Sequence, residues 1–246
     1  MSTDLRRKLS DKLLLESNDR QPLPASLTDY INGIASHQGA LAVLSHMSLH
    51  QNYVWYGAFA STLGISGTDG VAMPTIFEEE ILQLIHPDDL TDKFINELAF
   101  LHHLQSSPVS RRKLWHFESH IRMRRTDGSF IDTKHLIYYF YNGNNDIEMA
   151  LCLFMPLVGT LPSKAIAVNN STGIFTPLNT PANPLLSPRE TEILNMIQLG
   201  MSTATIAATL HLSAYTVSRH RQNIIARLQV RNTTEAVRIA HRAGLI

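Results

Sequence analysis

Apolar and polar residues alternate with the period of a strand from about residue 115 to 154, and recur at helical spacing on either side of that stretch. HFESHIRMRRTDGSFIDTKHLIYYFY holds two runs of strand composition separated by Thr126-Asp127-Gly128-Ser129, where Asp-Gly suits the positive φ of a tight hairpin. A third run, 148–155, follows the turn-forming NGNND at 142–146, so three consecutive antiparallel strands are predicted. Upstream, helices are predicted over 75–84 and 87–104, the second opening on Pro87-Asp88-Asp89 with acidic residues in its first turn. GALAVLSHM and NYVWYGAFA are expected as strands, and Leu5, Leu9 and Leu13 at i, i+4, i+8 predict a leading amphipathic helix.

Four helix starts in the last sixty residues follow from capping chemistry. Ser187-Pro188-Arg189-Glu190 is a capping box with proline at the first helical position, and Gly200 ends that helix. Ser202 caps TATIAATL, Ser213 caps a helix beginning AYTVSRH, and Asn232 with Glu235 starts TEAVRIAHRAG. Only His211 and Leu212 separate the second and third of these helices, which makes the pair a helix-turn-helix. On the third, Val217, Ile224 and Leu228 fall within about 40° of one another, and Ser218, Arg219 and Gln222 spread over the opposite side. Any small helical bundle has caps and apolar stripes, so periodicity alone leaves that plainer reading open.

Charge separates the two parts of the chain. The 246 residues carry no net charge, but residues 1–186 hold 14 Lys+Arg against 18 Asp+Glu, and residues 187–246 hold 7 against 3, all seven being arginines. Because DNA affinity rests largely on neutralising phosphates, the basic tail is the part suited to nucleic acid. Six of the eleven prolines lie between Pro156 and Pro188, mixed with Asn, Ser and Thr, and predict a linker over 159–185. The division expected is a helical segment over 1–37, a first domain over 38–158, the linker, and a second domain over 186–246. The single Cys152, the lack of a secretory h-region and the lack of an apolar run long enough to span a bilayer point to a cytoplasmic protein with no membrane partner.

The tail closely resembles the DNA-binding domain of LuxR/FixJ-type bacterial transcription regulators. The pattern is carried by Leu186-Ser187-Pro188-Arg189-Glu190, Leu194, Gly200, Ile206-Ala207, Leu210, Ser213, Thr216-Val217, His220, Ile224, Arg227-Leu228, Asn232, Thr234-Glu235-Ala236 and Gly244-Leu245-Ile246. The resemblance implies that the third helix enters the major groove of double-stranded DNA with Ser218, Arg219 and Gln222 as base readers. It implies phosphate contacts for Ser202, Thr203, Ser213, Thr216, Asn223 and Arg227, so that Arg227→Ala should weaken all sequences alike. It also implies a homodimer through Val237, Ala240 and Gly244 on an inverted-repeat operator, and RNA polymerase as a further partner. His220 is expected to pack or to contact phosphate. Two positions depart from the pattern: Arg221 stands where an apolar residue is usual, and Thr233 where arginine is common.

Upstream, Ile85-His86-Pro87-Asp88-Asp89-Leu90 opening a helix, Arg124-Arg125-Thr126-Asp127-Gly128-Ser129-Phe130 at a hairpin and the closing strand LCLFM resemble a Per-Arnt-Sim (PAS) domain. The expected fold class is therefore α+β: a PAS-like antiparallel sheet with helices, then an all-α four-helix LuxR-type domain. The resemblance implies signal sensing, with an unidentified small-molecule ligand in the PAS-like domain. No cofactor and no metal are predicted, since His102, His103, His116 and His120 lack ligand spacing. Two rival readings are an acyl-homoserine-lactone-type receptor, whose aromatic cage Trp55, Tyr56, Asp69 and Trp115 suggest by type but do not match in spacing, and a PAS-mediated protein-interaction adaptor. Catalysis is not predicted: the chain has no Walker A loop, no GxSxG, no HExxH and no convincing triad.

Overall fold

The computed structural model describes residues 23–73, 79–179, 184–228, 230–242 and 245–246. Helix α1 (Ala25–Gln38) leads into β1 (Leu41–His46) and β2 (Gln51–Tyr56), followed by α2 (Ala58–Thr62), β3 (Ala72–Met73), α3 (Glu79–Leu82), α4 (Pro87–Ser106) and α5 (Val109–Arg112). Strands β4 (Trp115–Arg124), β5 (Phe130–Tyr141) and β6 (Ile147–Pro156) come next, then β7 (Ala165–Asn169) and β8 (Phe175–Pro177). Among the described residues these strands form one antiparallel sheet in the order β3-β2-β1-β6-β5-β4-β7-β8.

Alternation sends the strand residues to two different layers. Leu41, Val43, Val54, Phe117, Ile121, Met123, Ile137 and Phe154 face one layer, which holds Phe59 and Ala60 of α2 and Phe94, Ile95, Leu98, Phe100 and Leu101 of α4. Ala42, Leu44, Trp55, Leu136, Leu151 and Leu153 face the other way, onto Ile31 and Ala35 of α1. The hairpin joining β4 to β5 turns at Gly128, with φ +85°, and Asp127 Oδ1 accepts from the Ser129 amide at 2.9 Å. At α4, Asp89 takes two hydrogen bonds of 2.8 Å from the Arg122 guanidinium and one from the Arg122 amide, which ties the helix start to β4. The antiparallel sheet with helices is thus as the sequence features of this region lead one to expect.

Some boundaries differ from the sequence reading. The strand expected over NYVWYGAFA stops at Tyr56, and Ala58 begins α2. Gly57 is the reason: a Cβ there would lie 2.4 Å from the carbonyl oxygens of Ala35 and Ala40, so backbone crosses backbone and no larger residue could continue the ladder. Of the helix expected over 75–84, Glu79–Leu82 is helical and 74–78 lie outside the described residues. The leading helix expected from Leu5, Leu9 and Leu13 also lies outside them.

The described part of the stretch 159–185 is more structured than its proline content implies. β7 pairs with β4, and β8 with β7. Small side chains make this possible: Ala165 and Ala167 are fully buried on the sheet, while Pro177 falls on the edge strand, where a missing donor is tolerated. Leu178, Leu185 and Leu186 are buried in turn, and one continuous apolar cluster runs through them from the sheet into the C-terminal helices. Those are α6 (Pro188–Gln198), α7 (Thr203–Thr209), α8 (Ala214–Leu228) and α9 (Thr233–Arg242). α4 packs against α8 as well as against the sheet.

Candidate nucleic-acid interface

Each C-terminal helix starts on the cap its sequence specifies. Ser187 and Glu190 form a reciprocal capping box, with the Ser187 amide donating to Glu190 Oε2 at 2.8 Å and the Glu190 amide donating to Ser187 Oγ. Ser202 Oγ accepts from the Thr205 amide, Ser213 Oγ from the Thr216 amide, and Asn232 Oδ1 from the Glu235 amide, at 2.9–3.1 Å. The short turn between α7 and α8 places His211 at φ +54°.

Val217, Ile224 and Leu228 are fully buried, which fixes the rotation of α8 about its axis. The opposite side is therefore set as well: Ser218, Arg219, Gln222 and Asn223 are exposed. Among the described residues Arg219 has no ion-pair or hydrogen-bond partner, so its guanidinium is uncommitted. The helix thus presents a cation and an amide one turn apart on a short polar face, the donor and acceptor combination suited to the edges of guanine and adenine.

The other arginines are placed differently. Arg227 donates to the Leu185 carbonyl at 3.1 Å, and its Nε lies 3.5 Å from Oε1 of Glu190, which is 2 % exposed. Arg189 is held by Glu192 and by the Leu210 carbonyl. Arg221 bonds Thr203 Oγ1 and Thr233 Oγ1, each at 2.9 Å, and so joins the starts of α7 and α9 across α8. The two positions that depart from the LuxR pattern therefore touch each other: the arginine missing from 233 is present at 221, and Thr233 accepts from it. Neither departure alone signals this pairing, which was missed in the sequence; both together could have suggested it.

Of the residues expected at phosphates, Ser202, Ser213 and Asn223 are exposed, and Thr203 and Thr216 are half-buried, Thr203 accepting from Arg221. Ser202 and Ser213 spend their hydroxyl oxygens on caps, which leaves their hydrogens directed at Thr205 and Thr216 or outward. On the expected dimerisation stripe, Ala240 is fully buried within the domain core and Val237 is half-buried against it, while Gly244 lies outside the described residues. The exposed row of α9 is Thr234, Arg238 and His241. His220 is half-buried, with a buried Nδ1 that has no partner among the described residues.

The interior of the PAS-like domain holds a second polar cluster. Lys93 and Glu97 of α4 pair at 2.5 Å, Glu97 lies 3.9 Å from His135 Nδ1, and Ser119 is 3.4 Å from the same nitrogen. His135 is fully buried and stacked on Phe154; burial, aided by the nearby Lys93 charge, holds its imidazole well below the usual range. Burial likewise pushes the Tyr141 phenol up to about 12. His116 is engaged by Asn170 and Glu118, and His120 by Asp132. His103 packs edge-on to Trp115. Trp55 is buried on the α1 side of the sheet, whereas Trp115 borders the α4 side, so the structure does not bring the two together into one cage. Among the described residues no group of three or more His, Cys, Asp or Glu is placed to hold a metal ion, and no helix is long and apolar enough to cross a membrane.

Comparison with known proteins agrees with this geometry in the tail. Residues 184–240 match the family described as bacterial regulatory proteins, luxR family. The CsgBAC operon transcriptional regulatory protein of Escherichia coli K12 is 41% identical over 59 residues, covering 24% of this chain and 27% of that protein. The transcriptional regulatory protein FixJ of Bradyrhizobium diazoefficiens is 34% identical over 61 residues, covering 25% of this chain and 30% of its own length. The match therefore spans less than a third of these relatives. Among solved structures, the Vibrio cholerae VqmA dimer without target DNA aligns over 88% of this chain and 87% of its own, at 12% identity and a TM-score of 0.33. A PAS domain from Colwellia psychrerythraea aligns over 53% of this chain and 97% of its own, at 11% identity and a TM-score of 0.34. Likeness that distant carries nothing about activity. The C-terminal domain is thus similar to that of the luxR family and carries a helix-turn-helix, and it follows an antiparallel sheet-and-helix domain in the same chain.

Proposed function

We propose that the protein is a transcription regulator that binds an inverted-repeat DNA operator as a homodimer and responds to a signal received by its PAS-like domain. The observation that carries this reading is the rotation of α8: three fully buried residues hold it so that Ser218, uncommitted Arg219 and Gln222 face solvent together. The luxR family match over the same residues supports it. Arg219 donates bidentately to guanine O6 and N7, and Gln222 pairs with adenine N6 and N7. The α4–α8 contact offers a route from sensor to reader: a ligand or partner that favours one placement of α4 biases the placement of α8. Dimerisation draws on the exposed α9 row, with half-sites about one DNA turn apart.

Selection from a random duplex library, followed by a salt titration on the selected site, tests this. Log K should fall linearly with log salt, and Arg219→Ala should lower discrimination at one base position per half-site by about tenfold or more. A protein that is folded and dimeric yet selects no sequence at low salt would falsify the reading.

A further inference from the structure

Tyr215 lies in the first turn of α8 and is 77% exposed. Single exposed aromatics are ordinary on protein surfaces, and exposure alone assigns nothing. Its position on the helix is what matters. At 100° per residue Tyr215 lies about 20° from Gln222, about 40° from Arg219 and about 60° from Ser218, so it stands on the midline of the reading face and not at its rim. It precedes Gln222 by two turns, about 10 Å. Among the described residues its hydroxyl has no hydrogen-bond partner, and its ring packs in neither apolar cluster.

We propose that Tyr215 is a fourth specificity-determining residue, which reads the 5-methyl group of a thymine with the face or edge of its ring. This rests on the reading of α8 as the major-groove helix. A helix entering the groove brings its N-terminal residues to base edges, and Tyr215 is the bulky apolar side chain on that part of the exposed face. Its hydroxyl is both donor and acceptor, so a hydrogen bond from it fits an acceptor or a donor edge equally and carries little information. The ring is selective: in the major groove the thymine methyl is the apolar group that distinguishes thymine from cytosine, and apolar side chains meet it. The row Tyr215, Ser218, Arg219, Gln222 then reads one further base pair beside those taken by Arg219 and Gln222.

The test uses the full chain and the duplex selected by it. Wild type should prefer thymine at one position per half-site adjoining the Arg219 position. Tyr215→Ala should lose that preference, leave the others unchanged and keep the wild-type Tm, since the residue is exposed. Tyr215→Phe should keep it. Replacing that thymine by deoxyuridine, which removes only the methyl, should weaken wild type by about fourfold per half-site, the equivalent of one buried methyl group, and leave the alanine variant unaffected. The inference is overturned if Tyr215→Ala weakens every sequence equally, if Tyr215→Phe behaves like the alanine variant, or if deoxyuridine binds as thymidine does. Those failures leave the DNA-reading function standing, whereas failure of wild type to select any sequence removes both.

Discussion

Arg219 and Arg227 stand two turns apart on α8 and have opposite surroundings. Arg219 is exposed and uncommitted, while Arg227 closes on the Leu185 carbonyl and on a nearly inaccessible Glu190. Arg227→Ala leaves that carboxylate without its cation, so it should lower the unfolding free energy by about 1–3 kcal/mol in a denaturant titration. Sequence preference of the variant that remains folded should be unchanged. The bond from Arg227 to the Leu185 carbonyl was not legible in the sequence, because nothing local announces a partner 42 residues upstream. The Arg221–Thr233 contact gives a second measurement. Arg221→Met and Thr233→Val should each destabilise the domain, and their double-mutant cycle should show a coupling of about 1 kcal/mol. A coupling near zero would mean that the two substitutions from the family pattern are independent.

Among the elements, β5 and α4 enclose the group whose titration matters most. His135 is neutral in the folded protein and recovers its ordinary imidazole pKa on unfolding. Below about pH 6.5 the unfolded state therefore binds a proton that the folded state does not, and stability drops as pH falls from there toward the lowered folded value. His135→Phe preserves the stack on Phe154 and removes the proton site, so the loss of Tm between pH 7 and pH 5 should be smaller in the variant than in wild type. The element types here were legible: period-2 alternation and Asp-Gly identified the β4–β5–β6 meander, and the caps identified every C-terminal helix start. β7 and β8 were not, because proline-rich composition masks two short segments whose pairing depends on Ala165 and Ala167 fitting the open edge of β4.

At the scale of the whole molecule, the described residues of 159–185 fasten the two domains together. One apolar cluster passes from the sheet through Leu178, Leu185 and Leu186 to Ile193, Leu194, Val217, Ile224 and Leu228. With α4 packed on both the sheet and α8, the two domains should unfold together: a single calorimetric transition is expected, with van't Hoff and calorimetric enthalpies equal. Two resolved transitions would show the domains to be energetically separate, and would remove the α4–α8 contact as a route for the signal.

Local chemistry decided most of what the sequence by itself determined: the hairpin turn, the four caps, the rotation of α8, the excess of arginine in the tail. Apart from the arginine excess, which is a matter of composition, each depends on residues within about three turns of one another, and such interactions are written in the order of the chain. Tertiary structure alone decided which arginine is free and which is bound, that Ala240 belongs to the core, that the two odd residues of the helix-turn-helix meet, and that His135 is sealed from water. Those outcomes depend on groups brought together from beyond the reach of local pattern, from 12 residues apart for Arg221 and Thr233 to 42 for Arg227 and Leu185.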